Sequence, residues 1–170
     1  MKTRVLAVLM LGFVLFATPM AASAIDVVEP VGKTWEYTLG LGYKHFSQDT
    51  VDDSAYVGFR AQKRVQYPFL VGGGVEISAV GDIISVDATV PVTIRIGLHK
   101  GLKADVLLAP GVAYAKNMDT KVKKIMAVGT GGLELKTFIK KGLSLGLGVY
   151  YTGYSKSEFN NVKVGLAIGF

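Results

Sequence analysis

The feature that most restricts this chain is a two-residue alternation of apolar with small or polar side chains, which returns eight times from Trp35 onward. Its last occurrence, "VKVGLAIGF", puts Val162, Val164, Leu166, Ile168 and Phe170 on one face and Lys163, Gly165, Ala167 and Gly169 on the other. Successive side chains of a strand point to opposite sides, so this period specifies β-structure with one apolar face. The predicted strands are Trp35–Phe46, Ser54–Gln66, Phe69–Val80, Ile83–Leu98, Lys103–Lys116, Lys121–Ile139, Leu143–Tyr154 and Asn161–Phe170. Between them lie "SQDTVDD", "YP", "GD", "HKG", "NMD", "KKG" and "SKSEFN", rich in the residues that turns need. No helical period of useful length interrupts the series. An even number of antiparallel strands joined by short hairpins closes most simply into an up-and-down barrel. The expected class is all-β, an eight-stranded antiparallel barrel over residues 35–170.

The N-terminus sets the compartment. Lys2 and Arg4, the apolar run "VLAVLMLGFVLFA" and the small-residue site "AASA" ending at Ala24 predict a cleaved secretory signal peptide over residues 1–24. Residues 25–34 then form a short periplasmic segment. Because Lys2 and Arg4 leave with the signal, 17 basic residues face 13 acidic ones, a net charge of +4. That excess is too modest to point to nucleic acid. Cysteine is absent, which excludes disulfides, thiol chemistry and Cys-ligated metal. His45 and His99 lack the spacing of metal ligands, and neither "GTGG" nor "VGGG" carries the Lys-Ser/Thr of a phosphate loop. No cofactor or metal is expected.

Period alone leaves open whether the apolar face is inside, as in a soluble barrel, or turned to lipid. Three features favour lipid. Gly40, Gly42, Gly58, Gly72, Gly74, Gly146 and Gly148 crowd the polar face, which suits a cramped lumen better than a solvated exterior. Threading the chain up and down places Trp35, Tyr37, Tyr67, Phe69, Phe138 and Phe170 at one rim. The other rim receives Tyr43, Tyr114, Tyr151 and Tyr154, with Phe46, Tyr56 and Phe159. Two aromatic belts are what bilayer interfaces favour.

The third feature is the apolar terminal strand ending on Phe170. It resembles the assembly signal of bacterial outer-membrane β-barrel proteins, and the whole chain is similar in plan to the small OmpA-transmembrane-like and OmpX-like barrels. Many members carry Tyr where this chain has Ile168. The resemblance implies that the barrel-assembly machinery reads Val162, Val164, Leu166, Ile168 and Phe170, and that the last strand then closes against the first. It also implies an outer-membrane location, a lining of outer-membrane lipid and lipopolysaccharide, a monomer, and both termini in the periplasm. The connections "SQDTVDD", "GD", "NMD" and "SKSEFN" then lie outside the cell, too short for a large recognition site.

Glu36, Arg60, Arg64, Glu76, Asp87, Arg95, Asp105, Lys124, Glu134 and Lys136 are predicted to face the lumen. Folding about "YP" brings Arg60 opposite Glu76, and folding about "HKG" sets Arg95 opposite Asp105. Eight strands enclose only enough space for side chains to fill, so these ion pairs are expected to plug the barrel. The expected role is structural or interactive, with a narrow pore for small solutes as the alternative. Pro91 and Pro110 fall mid-strand on neighbours and lack ladder N–H groups. A β-bulge is expected there. Resemblance to the outer-membrane palmitoyltransferase of lipid A offers sideways access for lipid as the other reading. Finally, His45 and Ser47 in "HFS" share one face at the outer rim, resembling the dyad of lipid A deacylases. In that family the motif lies late in the chain and is followed by Asn, whereas here it is early and followed by Gln48. Asp49, Asp53 and Glu158 are the candidate acids. A lipid A-modifying hydrolase is therefore a third functional reading.

Overall fold

The computed structural model describes residues 35–48, 53–99, 101–140 and 142–170. The expected signal peptide and the 25–34 segment lie outside them. The strands are β1 (Trp35–Phe46), β2 (Ser54–Gln66), β3 (Phe69–Val80), β4 (Ile83–Thr89), β5 (Val92–His99), β6 (Leu102–Asn117), β7 (Lys123–Lys140), β8 (Leu143–Tyr154) and β9 (Asn161–Gly169). A single turn of 3-10 helix, Ser157–Phe159, precedes β9. Every pairing is antiparallel, and β1 pairs with both β2 and β9, so the sheet closes on itself. β4 and β5 share one place between β3 and β6. Nine segments thus make eight staves of an up-and-down barrel.

The fourth stave was expected as one run with a bulge and is instead interrupted at Val90 and Pro91 without one. Gly74 pairs with Thr89 above the break and Val71 with Val92 below it, and on the other flank Thr89 pairs with Gly111 and Val92 with Leu108. The register is therefore the same on both sides, and no extra residue is inserted. The Val90 N–H donates to the Pro110 carbonyl at 2.8 Å, and the Gly72 N–H to the Pro91 carbonyl at 3.1 Å. The return bonds need N–H groups that Pro110 and Pro91 do not have. The prolines remove two ladder bonds and leave the alignment intact.

Bulges occur instead at the opposite end of the hairpins. Register shifts between Arg64 and Gln66, between Gly97 and His99, and between Phe138 and Lys140, each time with one additional residue: Val65, Leu98 and Ile139. A bulge adds one residue on one strand and so exchanges the faces beyond it. Past "YP" a bare two-residue turn would set Arg60 against Val75, a charge against an outward apolar residue. With Val65 inserted, Arg60 stands opposite Gly74 and Gly58 opposite Glu76. This corrects the expected Arg60 to Glu76 register by two residues, and both remain in the lumen. Gly101 and Gly142 take positive φ of 74° and 86° in two of these turns, a conformation open to glycine at little cost.

Alternation then separates the faces. Leu41, Val57, Val75, Ile77, Leu133 and Leu166 are exposed on the outside, while Thr38, Lys44, Gln62, Arg95, Asp105, Glu134 and Lys136 are buried within. An ordinary water-soluble chain has the reverse distribution. Inward glycines make room for rings: a Cβ on Gly165 would collide with Tyr56, and one on Gly148 with Tyr150.

Candidate functional site

Two ion networks fill the lumen. In the first, Arg95 is 2 % exposed and bonds two carboxylates at once. Its Nε and Nη2 donate to Asp105 at 2.8 and 2.7 Å, and its Nη1 and Nη2 to Glu36 at 2.8 and 2.9 Å. Asp105 is the directly opposed cross-strand residue. Lys136 donates to Glu36 at 2.6 Å and lies 3.4 Å from Asp105 and 3.3 Å from Glu134. Glu134 accepts from Arg60 and, at 2.6 Å, from the Tyr150 hydroxyl. Three carboxylates and three cations balance. The second network, nearer the other mouth, places Lys44 at 2.7 Å from Glu76 and 3.8 Å from Asp87. Lys163 donates to Glu76 at 2.9 Å and Tyr154 to Asp87 at 2.6 Å, so two carboxylates face two cations. Each network is neutral, which is what makes so many charges tolerable in a narrow interior.

Arg60 and Glu76 thus both carry ion pairs, with Glu134 and with Lys44 and Lys163 respectively, and not with each other. The sequence reasoning that located the inward carboxylates overlooked Lys44 and Lys163. Both follow the alternation of their own strands, Lys44 from Glu36 and Gly40, Lys163 from Gly165 and Ala167. A cavity of about 70 Å³ between the networks is lined by Tyr56, Arg60, Glu76, Asp87, Thr130 and Lys163 among others. Its size and the charged groups in its wall suit a few water molecules.

Above the second network the lumen turns apolar. Ala113, Ala115, Met126 and Val128 form a buried cluster against Ile83, Tyr154 and Phe159. Phe159 comes from the turn before β9 and packs edge-on against Tyr154, ring centroids 6.3 Å apart. Lys124, expected in the lumen, reaches Glu158 at 3.0 Å and lies 5.4 Å from the Phe159 ring centre. The turn therefore folds over that mouth.

Comparison with solved structures agrees with this architecture. Neisserial surface protein A superposes with a TM-score of 0.70 over 81 % of this chain and 96 % of its own, at 6 % sequence identity. The N-terminal β-barrel domain of OprF from Pseudomonas aeruginosa gives a TM-score of 0.55 at 14 % identity, covering 79 % of this chain and 96 % of that one. Ail, the attachment invasion locus protein of Yersinia pestis, gives 0.51 at 13 % identity, covering 79 % and 98 %. The fold is that of the small bacterial outer-membrane β-barrels. No protein-family model and no curated protein matches the chain.

A transmembrane barrel presents its aromatic belts outward, and most of the expected aromatics are exposed on the outside here. Trp35, Tyr37, Tyr67, Phe69 and Phe170 are exposed toward one end, Tyr43, Tyr114 and Tyr151 toward the other. Phe138 and Tyr154 are not belt residues. Phe138 is 6 % exposed beneath the Arg95 guanidinium, 5.9 Å from its ring centre, and Tyr154 turns its hydroxyl to Asp87. Each shares strand parity with the lumen side chains, Phe138 with Glu134 and Lys136, Tyr154 with Tyr150 and Thr152. Parity along the strand, and not height, decides which face a ring takes. Phe46, Tyr56 and Phe159 also point inward or over the mouth.

The terminal strand carries Val162, Val164, Leu166, Ile168 and Phe170 on the outside and pairs β1 along its length, from Phe46 opposite Asn161 to Thr38 opposite Gly169. Phe170 and Tyr37 exchange backbone bonds of 2.9 and 3.1 Å, and their rings lie 6.1 Å apart. At the far rim, His45 Nδ1 meets Asp53 at 2.9 Å, and Tyr43 donates to the same carboxylate at 2.8 Å. Partial burial raises the Asp53 carboxyl, and the bonds from His45 and Tyr43 outweigh it, leaving the group below the ordinary carboxylate range. The His45 ring bonds Asp53 and not Ser47, whose backbone N–H donates to Asn160 at 2.9 Å. A His–acid contact is present, and the nucleophile is not engaged with it.

Proposed function

We propose that this protein is an integral outer-membrane barrel that does not conduct solutes and acts as a structural or interaction element of the envelope. The observation that carries this reading is the lumen, crossed by two self-neutralising ion networks and capped by Phe159 at one mouth. A conducting path needs mobile water along its length, whereas these charges are satisfied by one another. The apolar exterior supports contact with outer-membrane lipid and lipopolysaccharide, and the paired, aromatic end of β9 supports recognition by the barrel-assembly machinery. In this orientation the termini and the "YP", "HKG" and "KKG" turns face the periplasm. The sealed seam leaves no free strand edge for association, in keeping with a monomer.

Reconstitution in planar bilayers tests the reading. Unitary conductance is expected to be absent at moderate voltage, although the same preparation shows heat-modifiable migration on a gel, the mark of a folded barrel. Steady conductance from protein with that folded mobility would reverse the assignment in favour of a small-solute pore.

A further inference from the structure

Lys116 and Lys123 face each other across β6 and β7 on the outside of the barrel. Like charges directly opposite in an antiparallel sheet repel. Inside this barrel like charges stand directly opposite four times; in three a counter-charge bridges both members, and in the fourth, Lys103 opposite Lys136, Glu36 holds Lys136. Lys44 and Lys163 share Glu76, Glu76 and Asp87 share Lys44, and Asp105 and Glu134 share Lys136. Lys116 and Lys123 make no ion pair with any described residue. Asp119, in the same hairpin, and Asp82, in the neighbouring turn, supply no side-chain bond to them. Exposed Lys121 adds a third cation to the hairpin.

The surroundings say what kind of counter-charge fits. One step down the same face, Tyr114 stands opposite Ile125, which is 79 % exposed, and Ile84 and Val112 continue the apolar surface. Two residues along a strand is about 7 Å, so both lysines stand just beyond an aromatic of the kind that marks the headgroup level. Among the described residues, no other stave presents an outward Lys or Arg at this end. We infer that Lys116 and Lys123 bind the phosphate of a phosphorylated glycolipid in the outer leaflet, its acyl chains lying on Tyr114 and Ile125. This rests on the outer-membrane orientation proposed above.

The test uses the full folded protein in detergent, with native mass spectrometry counting retained ligand for diphosphoryl lipid A, dephosphorylated lipid A and inorganic phosphate. Wild type is expected to retain diphosphoryl lipid A, with apparent affinity lowered about tenfold in the K116Q/K123Q double variant and by less in K123Q. K63Q, at the opposite rim, is expected to bind as wild type does. Equal retention by wild type and K116Q/K123Q overturns the site. Equal binding of dephosphorylated lipid A overturns the phosphate, and displacement by inorganic phosphate at matching concentration overturns the lipid in favour of a soluble anion. Heat-modifiable migration of each preparation reports separately on the barrel, so failure of this site is distinguishable from failure of the membrane reading.

Discussion

Arg95 shows how a charge survives in this interior: its Nε, Nη1 and Nη2 donate to Asp105 and Glu36, and its guanidinium lies over Phe138. Removing one member of such a set leaves the others charged and unpaired, at a cost of about 3–5 kcal/mol. The register makes a sharper prediction for Arg60. A double-mutant cycle of Arg60→Ala with Glu134→Ala, followed by urea unfolding, is expected to give coupling above about 1 kcal/mol, and the cycle of Arg60 with Glu76 less than about 0.5 kcal/mol. Comparable coupling in both cycles would mean that Arg60 moves between the two carboxylates. Tyr150→Phe is expected to lose about 1–3 kcal/mol because the buried Glu134 loses a donor, whereas Tyr151→Phe on the outer face stays within about 0.5 kcal/mol.

At the scale of strands, β9 and the interrupted fourth stave carry the consequences. Leu166→Arg puts a charge on the outer face, which the proposed function turns to lipid, and is expected to cost about 2–4 kcal/mol on refolding into bilayers. Gly40→Ser on the lumen side, where a Cβ meets nothing nearer than 3.8 Å, is expected to be nearly neutral. The opposite ranking would mean the faces are assigned backwards. Phe170→Lys removes the ring packed on Tyr37 at the seam, and the amount of folded protein in outer membranes is expected to fall while export is unchanged. At the break, Pro110→Ala restores an N–H directed at the Val90 carbonyl. It is expected to stabilise the barrel by about 0.5–1.5 kcal/mol and to slow hydrogen exchange at Val90, and a lower unfolding midpoint would show that proline is needed there for another reason.

For the molecule as a whole, the charges divide into lumen networks that are balanced and rims that are exposed. Buried pairs are screened little by salt, exposed ones strongly. Raising NaCl from about 0.05 to about 0.5 M is therefore expected to leave the unfolding midpoint in detergent nearly unchanged. A marked fall would mean that water and ions reach the networks, which is the behaviour of a hydrated pore.

The sequence by itself determined the strands, their number of staves and the side of each that faces outward. These depend on a two-residue period and on turn residues, both local, and the ends of β1, β2, β3 and β8 coincide with the pattern. It also determined that Arg60, Glu76, Arg95 and Asp105 share an interior. Which of them meet was decided by tertiary structure. Val65, Leu98 and Ile139 each shift a register by one residue, a choice that hydropathy does not record because all three are apolar whether paired or bulged. The partners Arg60 and Glu134 are 74 positions apart on staves that do not adjoin, so no hairpin rule links them. Closure brings them together, because an eight-stave barrel is narrow enough for long side chains to bond across it. The same closure turned Phe138 and Tyr154 from candidates for the membrane interface into buried partners of Arg95 and Asp87, since parity within a completed barrel, and not height along a strand, decides which solvent a ring meets.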